Sequence, residues 1–170
     1  MVEKAATFSF YNKGSRIRNL IHNLKYKGIM EIGYEVGRIY ALTLKASGFI
    51  SGIDIIVPVP LHHSKKRIRG FNQSELISNG IGDVTGIPVN TVSLSRISGS
   101  STQTSRSRYE RWINVDDIFR ITDADMLRGK HILLVDDVIT TGSTIEACVN
   151  ELLKVDGVKV SAVALAFATV

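Results

Sequence analysis

The sequence predicts an α/β fold, in which helices cover both faces of a mostly parallel, twisted β-sheet. Three nearly continuous apolar segments, 53–61, 130–137 and 158–170, are rich in β-branched residues, as is typical of strands buried on both faces. Segments with the helical spacing of apolar residues lie between them. Because strands that alternate with helices form βαβ units, a parallel sheet is the expected architecture.

Length and composition place the chain among globular proteins. Its 170 residues can bury a sizeable core, and we expect a single domain over 1–170. No apolar run approaches the roughly 20 residues that span a bilayer, and the N-terminus has no secretory signal pattern. The single cysteine, Cys148, excludes an intrachain disulfide framework. We therefore expect a cytoplasmic protein without membrane association.

The first fifty residues are predicted to form a helical part. From Ser15 onward, four apolar residues recur at helical spacing, namely Ile17, Leu20, Ile21 and Leu24. This helix should end near Gly28, because glycine is a typical helix stop. A second helix is expected at about 31–47. The strand 53–61 follows and ends at its two prolines, which cannot donate to a sheet.

The rest of the chain continues the alternation of helices and strands. A helix is expected at about 72–81, although Gly80 and Gly82 lower its helical propensity. Further elements are predicted in order: strands at 89–94 and 116–121, the strand 130–137, a helix over 143–154 and a last strand over 158–170. The polar, basic segment 97–108 has the composition of a loop.

Two adjacent carboxylates, Asp136 and Asp137, end the strand 130–137. In parallel sheets, ligands bind outside the carboxyl ends of the strands. In this chain those places follow residues 53–57, residues 89–94 and the strand 130–137. Adjacent carboxylates repel each other unless a cation or hydrogen-bond donors share them. Vicinal hydroxyl groups or a divalent cation are suitable partners, so the pair is a candidate binding site.

A small, hydroxyl-rich turn follows the acid pair and opens a helix: Thr140, Thr141, Gly142, Ser143 and Thr144. Backbone N–H groups at a helix N-terminus point outward, and the helix dipole favours an anion there. Gly142 also permits close approach of the backbone to a ligand. The acids and the turn together offer one site for hydroxyl groups and one for a phosphate, which are the two needs of a sugar phosphate.

Other interpretations of this stretch are weaker. Solvated acids and an ordinary helix N-cap explain any one residue, but not the whole run. Receiver domains carry paired acids near the start of the domain, whereas too few residues follow Asp137 for the rest of such a sheet. A P-loop needs a lysine in the turn, and this turn has none.

A strongly basic segment follows the strand 53–61. Four of the five positions 65–69 are cations, namely Lys65, Lys66, Arg67 and Arg69. We interpret the segment as a loop that is solvated or that contacts anionic groups such as nucleic acid phosphates. The adjacent His62 and His63 lack the spacing of a usual metal site. No direct protein ligand for a metal is predicted.

The segment LLVDDVITTGST resembles the phosphoribosyl pyrophosphate (PRPP) signature of type I phosphoribosyltransferases. The segments PVPL…RIRGFNQ and LIHNLKYKG are similar to those of the ComF family, whose members are competence-associated and phosphoribosyltransferase-like. Four further residues match that family's spacing, namely Gln103, Arg111, Asn114 and Phe119. The resemblance covers about residues 17–168 and does not include the N-terminal four-cysteine zinc ribbon of many members.

The resemblance implies a type I phosphoribosyltransferase-like fold and a site for PRPP with Mg²⁺. Asp136 and Asp137 would contact the ribose 2′ and 3′ hydroxyls, and residues 140–144 would hold the 5′-phosphate. The segment 65–69 would receive pyrophosphate, with Arg67 and the neighbouring lysines foremost.

The same resemblance implies a flexible loop that closes over PRPP. Three residues of the segment 99–111 are assigned to it: Gln103, Arg106 and Arg108. A closed loop would exclude water from the reacting carbon, although a plain surface turn explains the composition equally well. An acceptor-binding hood is expected within 1–50.

Two functions follow as alternatives. The first is an enzyme that binds Mg-PRPP, releases pyrophosphate and transfers ribose 5-phosphate to an unknown nitrogen nucleophile. The second, also implied by the resemblance, is a non-catalytic competence protein that binds nucleotide, PRPP or single-stranded DNA, together with a helicase partner. A homodimer is compatible with both.

Overall fold

A computed structural model describes residues 1–10, 16–97 and 118–168 of the chain. In these ranges the elements are β1 (Val2–Phe10), α1 (Arg16–Lys27), α2 (Met30–Ala46), β2 (Ile55–Pro58), α3 (His63–Arg69), α4 (Gln73–Thr85), β3 (Leu94–Arg96), β4 (Phe119–Ile121), β5 (His131–Ile139), α5 (Ser143–Leu152) and β6 (Lys159–Phe167). None of the described helices combines the length and the apolar character that crossing a membrane requires.

Within the described residues the main sheet has four strands in the order β1-β6-β5-β2, and each adjacent pair of these strands is parallel. The short strands β3 and β4 form a separate antiparallel pair. The predicted α/β fold with a parallel sheet is therefore confirmed.

The two faces of the sheet carry two separate apolar layers. Leu133 and Val135 of β5 face the layer formed with α1, α2 and α4. Ile132 and Leu134, the alternate residues, face the layer formed with α5, β3 and β4. All four side chains are fully buried. This explains why the strand has an unbroken apolar sequence instead of an alternating one.

The expected N-terminal helical part contains α1 and α2, but it begins with a strand that the sequence did not predict. β1 lies at the edge of the sheet and pairs with β6 alone among the described strands. Its residues are exposed or half-buried. An edge strand of this kind carries little of the apolar pattern on which strand prediction depends.

The strand predicted around 89–94, within the segment PVNTVSLSR, was confirmed only at the end of that segment. Only Val89 bridges to the main sheet, opposite Ile56, and the regular strand β3 begins later and belongs to the antiparallel pair. The Asn90 side chain accepts from the backbone N–H groups of Val92 and Ser93, at 3.0 and 2.8 Å. These hydrogen bonds form a turn around the Asn90 side chain, which takes the place of regular strand pairing and changes the direction of the chain.

The basic segment was predicted as a loop, but it forms the helix α3. The His62 ring nitrogen Nδ1 accepts from the backbone N–H of Ser64 at 3.2 Å and caps the helix start. Gly70 ends it with a left-handed backbone conformation, φ 81°. Histidine is an uncommon N-cap, so the residues before α3 do not indicate a helix start.

Helices α2 and α4 pack backbone against backbone at two glycines. An ideal Cβ on Gly80 would lie 2.1 Å from the carbonyl oxygen of Tyr34, and one on Gly37 would lie 2.4 Å from that of Ile77. No side chain fits in this space. Gly80, which weakened the helix prediction, is therefore required by the packing of α4, and α4 extends to Thr85.

Replacement of Gly80 by alanine is expected to destabilise the fold. An ordinary Gly→Ala change within a helix stabilises by about 0.4–1 kcal/mol, whereas here the methyl group overpacks the α2–α4 contact at a cost of about 1–3 kcal/mol. Urea denaturation measures the free energy of unfolding. Asn79→Ala, at the exposed neighbouring position of α4, is the control and should change stability little. An increase in stability for Gly80→Ala would contradict the described packing.

Candidate functional site

Asp136 is a buried carboxylate near the carboxyl end of β5, with 9% of its surface exposed. Its Oδ1 atom accepts from the Ser74 hydroxyl at 3.2 Å and from the backbone N–H of Asp137 at 2.8 Å. Ser74 lies in the first turn of α4. Asp136 thus joins the carboxyl-terminal part of β5 to the start of α4. The strand was predicted to end at the acid pair, but β5 continues to Ile139.

Burial and a neighbouring negative charge raise the pKa of Asp136 to about 7. Loss of hydration is the largest cause, and the adjacent Asp137 carboxylate adds to it. Hydrogen bonds from the Asp137 backbone and Ser74, together with the Lys25 charge, oppose the shift. A carboxyl group with a pKa near neutrality in a cleft is typical of functional sites.

Asp137 forms an ion pair with a residue of the N-terminal part. The Lys25 ammonium lies 2.7 Å from Asp137 Oδ2, and both side chains are largely buried. Asp137 Oδ1 accepts from the backbone N–H of Val138 at 2.6 Å. Sequence reasoning assigned no role to Lys25. The segment LIHNLKYKG, which carried the family resemblance, was the signal that could have identified it.

The acid pair lines a cavity of about 170 Å³ that collects residues from the segment after β2 and from six elements, namely α1, α3, α4, β3, β5 and α5. Its polar and charged lining comprises Lys25, Lys65, Arg69, Asn72, Gln73, Ser74, Arg96, Asp136, Asp137 and Thr144. Cations from α1, α3 and β3 thus surround two carboxylates. Such a mixture suits a ligand that has both hydroxyl and anionic groups.

The start of α4 presents polar groups to this cavity. The Asn72 side chain donates to the Val59 carbonyl at 3.0 Å and accepts from the backbone N–H of Ser74 at 3.1 Å, which fixes the helix start. The Gln73 amide nitrogen is buried, with 2% of the residue exposed, and has no hydrogen-bond acceptor among the described residues. An unsatisfied buried donor is costly, so Gln73 is a candidate donor to a ligand, which sequence reasoning did not identify.

The hydroxyl-rich turn leads into α5 as predicted. Gly142 is the N-cap with φ 83°, so the left-handed conformation there requires glycine. The hydroxyl groups of Thr141 and Ser143 lie 2.9 Å apart. Thr144 and Ser143 line a second cavity of about 380 Å³ with Arg96, and Thr144 and Arg96 also line the acid-pair cavity. The turn and the acids therefore belong to connected spaces.

The four cations of α3 separate in space. Lys65 and Arg69 line the acid-pair cavity, whereas Lys66 lines a neighbouring one with His63 and Arg96. Arg67 is exposed and lines neither the acid-pair cavity nor the cavity of Lys66. The predicted loop residues Gln103, Arg106 and Arg108 lie outside the described ranges. So do Arg111 and Asn114.

The histidine pair is not part of a metal-ligand cluster in the described ranges, where no group of three His, Cys, Asp or Glu side chains could hold an ion. His62 instead lies 2.7 Å from the Ser64 hydroxyl through its Nδ1 atom and serves the start of α3.

Comparisons with known sequences identify the family of the chain. A family model described as "Phosphoribosyl transferase domain" matches residues 39–169. The chain is 32% identical over 138 residues to the DNA utilization protein YhgH of Escherichia coli strain K12, covering 79% of this chain and 60% of that protein. It is 30% identical over 144 residues to Competence protein F of Haemophilus influenzae, covering 82% and 62%. The chain thus spans about 60% of the length of these relatives.

Solved structures show the same fold. Adenine phosphoribosyltransferase superposes with a TM-score of 0.53 at 15% identity, over 86% of this chain and 74% of that one. The glutamine PRPP amidotransferase of Bacillus subtilis has a TM-score of 0.52 at 21% identity, over 76% of this chain and 25% of that one. The predicted type I phosphoribosyltransferase-like fold is confirmed.

The raised pKa of Asp136 predicts a pH-dependent stability. Between an unfolded-state pKa of about 4 and the folded-state value of about 7, the folded chain retains a proton that the unfolded chain has lost. Stability therefore falls as pH rises through this window. The Asp136→Asn side chain cannot ionise, so its contribution to stability does not change over this range. The free energy of unfolding of Asp136→Asn minus that of the wild type should therefore be about 2 kcal/mol larger at pH 8 than at pH 5.

Urea denaturation at both pH values measures this difference. Asp156→Asn, at an exposed position, controls for the general loss of one negative charge. If wild type and Asp136→Asn change in parallel with pH, the carboxyl group of Asp136 does not retain a proton near neutrality.

Proposed function

The chain belongs to the phosphoribosyl transferase domain family and resembles the competence proteins of the ComF type. From this premise we propose that the chain binds PRPP and transfers the ribose 5-phosphate group of PRPP to a nitrogen nucleophile. The observation that carries the proposal is the convergence of the acid pair, cations from three elements and the start of α5 on connected cavities. These groups match the diol, the pyrophosphate and the 5′-phosphate of one ligand.

In this proposal the ribose diol binds the acid pair. Ionised carboxylates accept hydrogen bonds from the 2′ and 3′ hydroxyls, and charge-assisted bonds of this type are stronger than neutral ones. Asp136 is already held by Ser74 and by the backbone N–H of Asp137, so it needs little reorganisation. The 5′-phosphate then binds the N-terminal turn of α5, where Thr144 lies between the two cavities.

Pyrophosphate is assigned to the cations beside the acid pair. Lys65 and Arg69 line the acid-pair cavity, and Arg96 faces them from β3. Their positions make these three side chains better candidates than Arg67, which the sequence placed foremost. The unpaired amide of Gln73 adds a neutral donor to the same cavity.

The chemistry requires the C1–O bond of PRPP to break and a C1–N bond to form. Pyrophosphate leaves with the bonding electron pair, the nitrogen lone pair attacks C1, and the nitrogen then loses its proton to water. Positive charge develops near C1, and the carboxylates of Asp136 and Asp137 stabilise it. The cations of α3 and β3 stabilise the negative charge that accumulates on pyrophosphate.

Mg²⁺ fits this site as a partner of the ligand. With two carboxylates and no larger ligand cluster in the described ranges, the ion would take most of its oxygen ligands from the diphosphate, the ribose and water, as Mg²⁺ commonly does. When bound, it neutralises charge on the pyrophosphate. The single-domain organisation, with a hood formed by the N-terminal helices, is part of the same proposal.

Titration with PRPP, with and without Mg²⁺, tests the ligand. The double variant Asp136→Asn/Asp137→Asn should lose affinity by at least about tenfold, because two charge-assisted hydrogen bonds are weakened. The control Asp123→Asn/Asp125→Asn removes the same charge at exposed positions that precede β5 and should bind normally. Absence of PRPP binding by the wild type would overturn the proposal.

Turnover is tested separately by release of pyrophosphate from Mg-PRPP in the presence of bases, amines and amides. If PRPP binds but no acceptor is ribosylated, catalysis is excluded and ligand binding alone remains.

A second candidate function is single-stranded DNA binding in DNA uptake. Two observations favour it: relatives are named DNA utilization protein and Competence protein F, and α3 presents Lys65, Lys66 and Arg67 as exposed side chains on one short helix. A cationic helix of this kind suits phosphate contacts that do not depend on base sequence.

Neutralising α3 tests the DNA hypothesis. Lys65→Gln/Lys66→Gln/Arg67→Gln should weaken binding of an oligothymidylate and lower the slope of log affinity against log salt by about 2, since each lost phosphate contact contributes about 0.7. Arg128→Gln/Lys130→Gln/Lys159→Gln removes the same number and types of charges near the amino ends of β5 and β6. Equal losses in the two variants would indicate only a general effect of net charge.

A further inference from the structure

We propose that the cleft between the C-terminal end of α1 and the helix α3 is the acceptor subsite, and that it selects an acceptor with a planar ring and an anionic group. The inference rests on the proposed function, because an acceptor is meaningful only beside a bound PRPP. It adds the chemical class of the acceptor, which neither the motifs nor the comparisons define.

The cleft is a cavity of about 450 Å³ that adjoins the acid-pair cavity. Lys25, Lys65 and Arg69 line both spaces. The volume lies within the range of small-molecule sites, about 300–1,000 Å³. A small molecule in the cleft would therefore lie next to whatever the acid pair binds, with the Lys25–Asp137 ion pair between them.

The polar lining of the cleft is cationic. Lys25, Lys27, Lys65 and Arg69 line it. Lys65 and Arg69 are assigned to pyrophosphate, so the cation left for the acceptor is Lys27, which has no described carboxylate within ion-pair distance. Lys25 alone has an acidic partner. Opposite charge in a partly enclosed cleft raises the affinity for an anion. An acceptor with a carboxylate or phosphate group is thus favoured over its uncharged counterpart.

The remaining lining is aromatic and apolar. Tyr26 is 70% exposed and its ring lies 5.9 Å from the Arg69 guanidinium carbon, while Phe71 lies buried beside it. Ile68 is 85% exposed at the edge of the cleft. A short helix that exposes an isoleucine next to an exposed tyrosine presents apolar surface to a ligand. Aromatic and guanidinium planes bind flat rings by stacking.

Two matched pairs of probe compounds test the charge and the ring separately: orotate against uracil, and nicotinate against nicotinamide. Saturation-transfer NMR and calorimetric titration, with PRPP and Mg²⁺ absent and then present, measure binding. Each carboxylate should bind about fivefold more tightly than its uncharged counterpart, the range that one partly exposed ion pair supplies.

Variants assign the binding to the cleft. Lys27→Gln should remove the preference for the carboxylates, Tyr26→Ala should weaken charged and uncharged rings alike, and Lys159→Gln, an exposed lysine at the start of β6, should change neither. Lys27 and Tyr26 do not line the acid-pair cavity, so PRPP titration of both variants should match the wild type and verify that they fold.

The outcomes separate this inference from the proposed function. Binding of neither carboxylate, equal binding of charged and uncharged rings, or an unchanged preference in Lys27→Gln would overturn the acceptor subsite while PRPP binding persists. Carboxylate binding to a wild-type chain that does not bind PRPP would overturn the proposed function instead, and with it the assignment of the cleft as an acceptor subsite.

Discussion

The burial of Asp136 is the interaction on which the site depends. A carboxyl group is placed where little water reaches it, and its hydrogen-bond donors among the described residues are Ser74 and the backbone N–H of Asp137. Its neighbour Asp137 is in turn held by Lys25 of α1. The end of β5 is therefore joined to α4 and α1 by polar contacts, whereas the side chains of 132–135 in the middle of β5 pack in the two apolar layers. Cations, hydroxyl groups and a helix start collect around this pair because buried charge requires partners.

The fold was largely predictable because its central strands carry strong signals. β5 and β6 each contain a continuous apolar run, 132–135 and 162–167, and the helices between strands show regular spacing. The elements that prediction missed are those whose stability comes from tertiary contacts. β1 is a partly exposed edge strand, and Val89 joins the sheet through a single bridge. The helix α3 starts at a histidine cap that few sequence rules would recognise.

The site was predictable in part, for a related reason. Asp136, Asp137 and the turn before α5 are contiguous in sequence. The apolar strand, the two acids and the helix start therefore form one continuous motif that can be recognised in the sequence. Lys25 and Gln73 are distant in sequence and have ordinary residue types, and only the fold gives them significance through an ion pair and an unsatisfied donor. The cations of α3 looked equivalent in sequence. Helical geometry then distributes Lys65 and Lys66 to different cavities and leaves Arg67 on the outside.

The contact of α2 with α4 at Gly37 and Gly80 has a mechanical consequence. Where backbones touch, no layer of side chains can change rotamer to absorb a displacement, and the two helices transmit strain as one rigid body. Ser74 lies at the start of α4. Because Ser74 also donates to Asp136, the acid pair is anchored to a unit of two helices and not to one. We therefore expect a ligand that moved Ser74 to move α2 together with α4.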